Sequence, residues 1–186
     1  MSSSETERKA NPLPPPRRVI TTHTPSGLSA LSTSLASTLP KVSFPGADLY
    51  LAYTLPTLPA PLASDADLES YKPNLPHNIG VAIPGGLVAR VVDFLPGGPE
   101  APLHRTESID TGVIIEGEIE LFLDGGETTV LKRGDIFVQR GTMHRWRNTS
   151  EEAVARMFVV ITTADMPVVG GTKLGEEMPI ADLEAK

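Results

Sequence analysis

Short runs of apolar and β-branched residues, punctuated by glycine and proline, make up most of the chain. The run Leu87–Leu95 is almost continuously apolar and is interrupted only by Arg90 and Asp93, which is typical of a central strand. The segment Glu118–Leu123 begins with polar and apolar residues in alternation, which predicts a strand with one buried face. No segment keeps the 3.6-residue period of a long helix, so the pattern predicts an all-β protein.

Turn residues divide the remaining pattern into further strands. Asp124, Gly125 and Gly126 tolerate positive φ and predict a hairpin in which Glu127–Leu131 is the second arm. Residues 56–78 have no clear period and predict a loop with one helical turn around residues 65–71. The other predicted strands are Val19–Thr22, Leu28–Leu39, Asp48–Thr54, Ile136–Gln139, His144–Asn148 and Ala153–Thr162. Many short strands with glycine and proline at the corners indicate a sandwich or a barrel.

The 186 residues predict one main domain with an arm at each end. Residues 1–18 are polar and then proline-rich, so we expect a disordered or extended N-terminal arm. Residues 19–163 hold the predicted strands and form the β-barrel domain. Residues 164–186 contain Pro167, Gly170, Gly171 and Pro179, which predict a C-terminal arm packed on the surface or on a second subunit.

The composition argues against a nucleic-acid partner and against any site built on cysteine, and it is ordinary for a protein that binds a small molecule. The chain has 16 basic and 23 acidic residues and a net charge of -7, which argues against binding to a nucleic-acid backbone. It has no cysteine, so a disulfide, a thiolate metal site and a cysteine nucleophile are all excluded. The sequence shows neither a signal peptide nor a stretch long enough to span a membrane, and it indicates no nucleotide cofactor. We therefore expect a cytoplasmic protein that contacts neither membrane nor nucleic acid.

Two glycine-bounded blocks carry the candidate chemistry. The first runs from Gly98 to Gly117 and contains His104 and Asp110, and the second block ends with His144 four residues before Asn148. Two imidazoles and a carboxylate that meet in one pocket can hold a divalent metal or perform acid–base chemistry. The residues leave this choice open.

The spacing of the blocks resembles the paired motifs of the cupin superfamily over roughly residues 80–162. Thr106 stands where the first motif usually has its second histidine, and Asp110 stands where it usually has glutamate. The turn after Gly134 is one residue shorter than usual and lacks its proline. The resemblance implies a cupin jelly-roll β-barrel, here with extra N-terminal strands and extended terminal arms. The residues that match the motifs directly are Gly98, His104, Gly117, Gly141, His144 and Asn148.

The amino-acid sequences of both blocks are similar to those of small cupins that are encoded with fungal or bacterial secondary-metabolite pathways. Such proteins carry several labels, among them oxidoreductase, decarboxylase and dehydratase, so a label does not give the mechanism. The resemblance implies a homodimer that binds a small, largely apolar, polyketide-like or aromatic carbonyl compound.

Three functions follow from the same three residues, His104, Asp110 and His144. The leading hypothesis is a lyase or isomerase that transfers protons in dehydration, decarboxylation or isomerisation. The second is an oxygenase or other oxidoreductase in which the triad binds Fe, Mn, Ni or Zn, although the hydroxyl of Thr106 is a poor ligand in place of a histidine. The third is a barrel that binds a small molecule without catalysis.

Six further residues are candidates for substrate contact. Arg90 and Arg156 interrupt apolar strands, so either could project inward and bind a carboxylate or phenolate, or form a salt bridge instead. Phe137 and Trp146 could line an aromatic pocket or simply fill the core. The two remaining candidates are Thr106, which shares a face with His104 on a strand, and Met143, which would fill a gap near the mouth.

Overall fold

The computed structural model describes residues 9–75 and 80–179. Residues 1–8 and 180–186 of the two predicted arms, residues 76–78 of the predicted loop, and residue 79 lie outside this part of the chain. Within it the strands are β1 (Thr21–His23), β2 (Ser29–Leu31), β3 (Lys41–Phe44), β4 (Ala47–Leu55), β5 (Leu87–Phe94), β6 (Ser108–Glu116), β7 (Glu118–Leu123), β8 (Thr128–Lys132), β9 (Ile136–Arg140), β10 (His144–Asn148), β11 (Ala155–Thr163), β12 (Val168–Val169) and β13 (Thr172–Lys173). The predicted all-β fold class is confirmed.

Two antiparallel sheets face each other across the core. The larger sheet has six strands in the order β3-β4-β5-β11-β6-β9, and the smaller has three in the order β10-β7-β8. Several neighbouring strands of the larger sheet are distant in sequence. For example, β11 lies between β5 and β6 and pairs with both. The hairpins β1-β2 and β12-β13 lie outside these sheets.

Alternation along the strands gives the larger sheet an inner and an outer face. On β11, Met157, Val159 and Ile161 belong to the main core cluster, which also contains Ile119 and Trp146 of the smaller sheet. Residues at the intervening positions point the other way. A second, smaller cluster covers that outer face and contains Leu39, Tyr50 and Val91. The sheet is therefore buried on both sides along its centre.

One short helix lies in the predicted loop. The helix α1 (Ala66–Tyr71) has a 3-10 turn on each side, which confirms the predicted helical turn. It is anchored by Tyr71, which is fully buried and donates a hydrogen bond to the carbonyl of Leu51 at 2.8 Å. In the parts of the chain that the structure covers, no helix is long and apolar enough to cross a lipid bilayer.

Strand bounds agree best where the sequence alternates. The predicted strands Glu118–Leu123 and His144–Asn148 coincide with β7 and β10. The prediction of one long strand over Leu28–Leu39 is wrong, because β2 ends at Leu31. The hydroxyl of Ser32 then accepts the backbone N–H of Ser34 at 3.3 Å, a local bond that competes with a strand ladder.

Candidate functional site

The two predicted histidines meet through their backbones. His144 is the first residue of β10, and His104 lies in the segment before β6. Each donates its backbone N–H to the carbonyl of the other at 2.9 Å, and the two ring centroids are 4.3 Å apart. The sequence blocks therefore bring two imidazoles together at one place on the inner surface.

The C-terminal tail anchors the segment that carries His104. Arg105 and Glu177 exchange two backbone hydrogen bonds of 2.9 Å, and their side chains form an ion pair. The guanidinium of Arg105 also donates to the carbonyl of Gly175 at 2.8 Å. These contacts hold the strand-like segment next to β10 from its outer side.

His144 is deeply buried and electrically neutral. Its side chain is 2% exposed and meets the ring of Trp146 edge-on at a centroid distance of 5.7 Å. Burial, and in the same direction the charge of a protonated His104, lower the pKa of His144 to about 4. At neutral pH the ring of His144 therefore carries a single proton on one of its two nitrogens.

Gln139 contacts His144 and was not predicted as a site residue. Its side chain is 5% exposed, and its Nε2 donates to the carbonyl of Thr142 at 3.0 Å and touches Nδ1 of His144. The sequence contained a signal for this role, because Gln139 lies two residues after Phe137 on β9. A polar residue on the same face as a buried aromatic one is exceptional and needs a partner.

Asp110 accepts a hydrogen bond at the end of a row of two buried hydroxyl groups. On β6 the side chains of Ser108 and Asp110 point inward, and Thr106 continues the alternation before the strand begins. The hydroxyls of Thr106 and Ser108 are 2.6 Å apart, and Ser108 donates to Asp110 at 2.7 Å. Burial raises the pKa of Asp110 to about 6, although the hydrogen bond from Ser108 acts in the opposite direction. Ser108 is the second site residue that the sequence analysis missed.

The register of the larger sheet joins these groups into one polar strip. Asp110 is the cross-strand partner of Gln139 on β9 and of Ile161 on β11. Directly opposed side chains of this kind have Cβ atoms about 5 Å apart. Polar groups therefore follow one another from Thr106 through Asp110 and Gln139 to the two histidines, within a mainly apolar inner surface.

A cavity of about 410 Å³ opens beside this strip. Its lining includes Gln139 and Thr142, the two residues that contact Nδ1 of His144. The remaining lining residues are mainly apolar: Leu121, Leu123, Val138, Arg140 and Pro167. A cavity of this volume and lining is within the range of small-molecule sites, about 300–1,000 Å³.

Phe137 and Trp146 form part of the core next to the site. Their ring centroids are 4.9 Å apart, and both side chains are less than a tenth exposed. Met143 is half-buried in the turn that leads to His144. Substrate contact by these three residues stays a prediction, as it does for the buried Thr106.

The two candidate arginines lie on opposite faces of the larger sheet. Arg90 alternates inward with the core residue Val88 and donates to the carbonyl of Gly80 at 2.5 Å, and burial lowers its pKa to about 10. Arg156 points outward, and its guanidinium binds both oxygens of Asp93 at 2.5 and 2.6 Å. The ion pair agrees with the salt bridge that the sequence left open for Arg156, and its substrate contact stays a prediction.

Comparison with known proteins accounts for these motifs. The family model described as "Cupin domain" matches residues 90–161, which include His104, Asp110 and His144. The cupin-domain-containing oxidoreductase fogC of Aspergillus ruber is 36% identical over 160 residues, covering 84% of this chain and 77% of that protein. The chain belongs to the cupin superfamily.

Relatives of this cupin come from fungal biosynthesis clusters. Phomopsin biosynthesis cluster protein C′ of Diaporthe leptostromiformis is 45% identical over 174 residues, covering 92% of both chains. Oryzines biosynthesis cluster protein J of Aspergillus oryzae is 45% identical over 166 residues, covering 89% of this chain and 92% of that protein. The predicted likeness to small cupins of secondary-metabolite pathways is confirmed. The homodimer, the cytoplasmic location and the domain bounds stay predictions.

His104, Asp110 and His144 do not form a metal site with three protein ligands. In the residues that the structure describes, no group of three His, Asp or Glu side chains is arranged to hold a metal ion. His104 and His144 lie side by side, but Asp110 is engaged by Ser108, and Thr106 supplies only a hydroxyl bonded to Ser108. The predicted Fe, Mn, Ni or Zn ion therefore stays a prediction, and no step below passes through a metal.

Proposed function

We propose that this cupin is a small-molecule enzyme of secondary metabolism that catalyses proton transfer, as a dehydratase, decarboxylase or isomerase. One observation carries the proposal: a buried carboxylate with a raised pKa, Asp110, shares the inner surface with a buried neutral imidazole, His144. Environments that push the pKa values of two titratable groups away from their ordinary values are typical of acid–base catalysis.

Asp110 is the base in this proposal. With a pKa of about 6 it is mostly ionised at pH 7, yet it is more basic than an ordinary aspartate. It takes a proton from the carbon next to the substrate carbonyl, and the electron pair moves into the carbonyl to form an enolate. The hydroxyls of Ser108 and Thr106 stand in line behind Asp110 and support its ionised form.

The histidines act on the oxygen side of the substrate. The neutral ring of His144 donates a hydrogen bond to the carbonyl oxygen as negative charge develops there. In a dehydration, His104 is the acid that protonates the leaving hydroxyl, so that water departs and the proton count balances. His104 suits this role because it is only partly buried and lies against His144.

The cavity supports a largely apolar substrate. Its walls contain Leu121 and Leu123, together with the polar residues Gln139, Arg140 and Thr142. The biosynthesis-cluster names of the relatives support a place in secondary metabolism.

Deuterium exchange tests this function without knowledge of the natural substrate. Apolar ketones, aldehydes and β-hydroxy carbonyl compounds are incubated with the protein in D₂O, with chelator and without oxygen, and followed by proton NMR. We expect enzyme-dependent loss of the proton next to the carbonyl, or elimination of water, and loss of this activity in Asp110→Asn. Ligand binding without exchange or elimination across the panel would favour a non-catalytic binding protein.

A metal-dependent oxygenase or oxidoreductase is the second candidate function. The name of one relative favours it, since fogC is described as a cupin-domain-containing oxidoreductase. Elemental analysis of the untagged protein, together with oxygen uptake during turnover, tests this function. Near-stoichiometric Fe, Mn, Ni or Zn that is lost in both His104→Ala and His144→Ala would support it.

A further inference from the structure

The C-terminal segment after β11 attaches at two points to the stretch of chain between the first site histidine and β6. The backbone N–H of Ala164 donates to the carbonyl of Glu107 at 3.0 Å and so continues the β11–β6 ladder. Further along, Glu177 and Arg105 exchange two backbone hydrogen bonds of 2.9 Å. Residues 164–177, the C-terminal clamp, therefore form a loop whose two ends lie on the same short stretch.

The far end of the clamp holds the backbone next to His104 from the side opposite to β10. In an extended chain, neighbouring residues direct their N–H and C=O groups to opposite sides. His104 uses these groups to bind His144, and Arg105 uses them to bind Glu177. The segment is therefore the middle one of three extended chains, and its outer hydrogen bonds at this point come from the clamp.

The side chain of Arg105 joins the clamp to this segment a second time. Its guanidinium forms an ion pair with the carboxylate of Glu177, and its Nε donates to the carbonyl of Gly175 at 2.8 Å. The side chain of Arg105 is mostly buried, although that of Glu177 is more than half exposed. The planar guanidinium, with donors in a fixed geometry, thus fixes two points of the clamp at once.

The clamp also contacts the second histidine block. Met166 is buried against Gly141, which lies in the turn between β9 and β10. Gly141 has a φ of +59°, and a Cβ atom on it would lie 2.5 Å from Cε of Met166. The next residue, Pro167, lines the cavity. One segment therefore contacts the turn before His144, a wall of the cavity and the backbone beside His104.

We propose that the C-terminal clamp positions His104 for catalysis, with Arg105 and Glu177 as its positioning residues. Their contacts keep the half-buried ring of His104 beside that of His144, at a centroid separation of 4.3 Å. The consequence for catalysis rests on the proposed function, in which His104 is the acid for the leaving hydroxyl. A displacement of about 1 Å at such a group can lower the rate about 100-fold.

Nuclear Overhauser spectroscopy of the full-length protein tests the position of His104 without substrate. The two rings are in contact, so their ring protons should show a strong mutual signal, which His104→Gln and His144→Gln assign. We expect most of this signal to be lost in Arg105→Met, which removes the ion pair and the bond to Gly175. The same loss is expected in Glu177→Pro, which removes the backbone donor and the carboxylate. A full signal in both folded variants would overturn the inference.

Two further variants distinguish the attachment at Arg105 from general damage to the fold. Lys173→Met breaks another ion pair of the clamp, with Asp165 at 3.0 Å, between two side chains that are both more than half exposed. The ring signal should keep its wild-type strength in this variant, and a loss equal to that in Arg105→Met would refute the role of Arg105. Arg105→Lys retains the charge opposite Glu177 and should recover part of the signal.

Two reactions distinguish a positioning role from a merely structural one. In the proposed mechanism, elimination of water from a β-hydroxy ketone needs the acid His104, whereas exchange of the proton next to the carbonyl needs Asp110 and His144. In Arg105→Met we expect kcat for elimination to fall about 10- to 100-fold with little change in KM, while exchange stays close to the wild-type rate. An equal fall of both reactions would make Arg105 a structural residue and contradict the inference.

The same measurements separate failure of this inference from failure of the proposed function. If the ring signal is lost in Arg105→Met but the wild-type protein catalyses neither reaction, the clamp holds His104 and the proposed function fails. If the wild-type protein catalyses elimination and the ring signal is unchanged in both Arg105→Met and Glu177→Pro, the function holds and the inference fails.

Discussion

Each face of the larger sheet buries a carboxylate, but only the carboxylate on the outer face is paired with a cation. On the outer face, Asp93 is fully buried and binds the guanidinium of Arg156 through both oxygens, and Asn11 of the N-terminal segment donates to it at 2.7 Å. On the inner face, Asp110 is also buried, but its hydrogen bond comes from the neutral hydroxyl of Ser108. The outer carboxylate is paired with a cation, and the inner one has a raised pKa.

This difference separates a structural charge from a chemical one. A buried ion pair with good geometry fixes strands and segments relative to one another, and here it joins β5, β11 and the N-terminal segment. A buried carboxylate with a raised pKa weakens the fold at neutral pH and is retained where its basicity is used. The buried charge of Asp110 on the inner face therefore lowers the stability of the protein at neutral pH, whereas the charge of Asp93 on the outer face is balanced by Arg156.

Replacement of His144 should have the largest effect, and on activity alone. His144→Gln keeps much of the side-chain volume but removes the ring, so we expect turnover to fall by about 100- to 1,000-fold, the usual contribution of one hydrogen-bond donor to a developing oxyanion. Circular dichroism and the unfolding midpoint should change little. Unfolding of this variant, with or without loss of activity, would make His144 a structural residue like those of the outer face.

Breaking the outer ion pair should have the opposite outcome. Arg156→Met leaves Asp93 as a buried charge without its cation, which costs about 3–5 kcal/mol in the free energy of unfolding. Denaturant titration measures this loss, and kcat at a temperature where the variant is folded should match the wild type. The matched control is Arg147→Met, which breaks an ion pair with Glu120 at a 48% exposed side chain and should cost less than about 1 kcal/mol. Equal losses in the two variants would contradict the structural role of Arg156.

Neutralising the inner carboxylate should stabilise the protein while removing its activity. Burial raises the pKa of Asp110 from an ordinary value of 3.8 to about 6, so the folded state binds the proton more tightly than the unfolded state. The contribution of Asp110 to stability is therefore present below pH 4 and is lost as the pH rises through 6. We expect Asp110→Asn to raise the free energy of unfolding at pH 7 by about 1–3 kcal/mol, since one pKa unit is worth about 1.4 kcal/mol. A destabilised Asp110→Asn at pH 7 would instead mean that the ionised carboxylate supports the fold.

His144 should give the reverse dependence on pH. Its pKa is lowered from 6.5 to about 4, so the unfolded state binds the proton more tightly, and stability is lost as the pH falls from about 6.5 to 4. The two slopes oppose each other in the wild-type protein between about pH 4 and 6. In Asp110→Asn only the slope from His144 remains, and denaturant titrations at pH 4, 5, 6 and 7 should reveal it. A flat profile in this variant would argue against a depressed pKa of His144.

Removing the hydroxyl that supports Asp110 should have the smallest effect. The hydrogen bond from Ser108 lowers the pKa of Asp110, so Ser108→Ala should raise that pKa above 6. The acidic limb of the pH–rate profile then moves to higher pH, and the stability changes by about 1 kcal/mol. Thr162→Val is a control, because Thr162 also forms a hydroxyl bond, at 3.3 Å, but to the carbonyl of Ile109 near the sheet surface. An acidic limb that stays in place in Ser108→Ala would remove Ser108 from the site.

The sequence predicted those parts of the site that depend on local alternation and on motif spacing. Both histidines and Asp110 were identified because their spacing resembles the cupin motifs, and the structure brings the two histidines together. Gln139 was missed because its partner His144 lies beyond a turn, and the sequence does not show which side chains a turn brings into contact. Ser108 was missed because a serine in an apolar strand gives a weak signal.

The faces of the two arginines could not be predicted from their surroundings in the sequence. Arg90 and Arg156 both interrupt apolar runs. The strand β5 is buried on both faces, whereas β11 is buried on its inner face and half-buried along most of its outer face. Only the pairing of β5 with β11 shows that Arg156 lies opposite Asp93, whereas Arg90 lies opposite the core residue Val159. Register is a property of the assembled sheet, so the sequence alone left open whether Arg156 contacts a substrate or forms a salt bridge.

The most direct measurement on the central claim is the titration of the Asp110 carboxyl group by carbon-13 NMR, with Asp110→Asn to assign its signal. The account predicts a midpoint near pH 6, well above the midpoints of exposed aspartates in the same spectrum. A midpoint at or below about 4 would contradict it, because Asp110 would then be an ordinary carboxylate and the inner face would have no base of raised pKa.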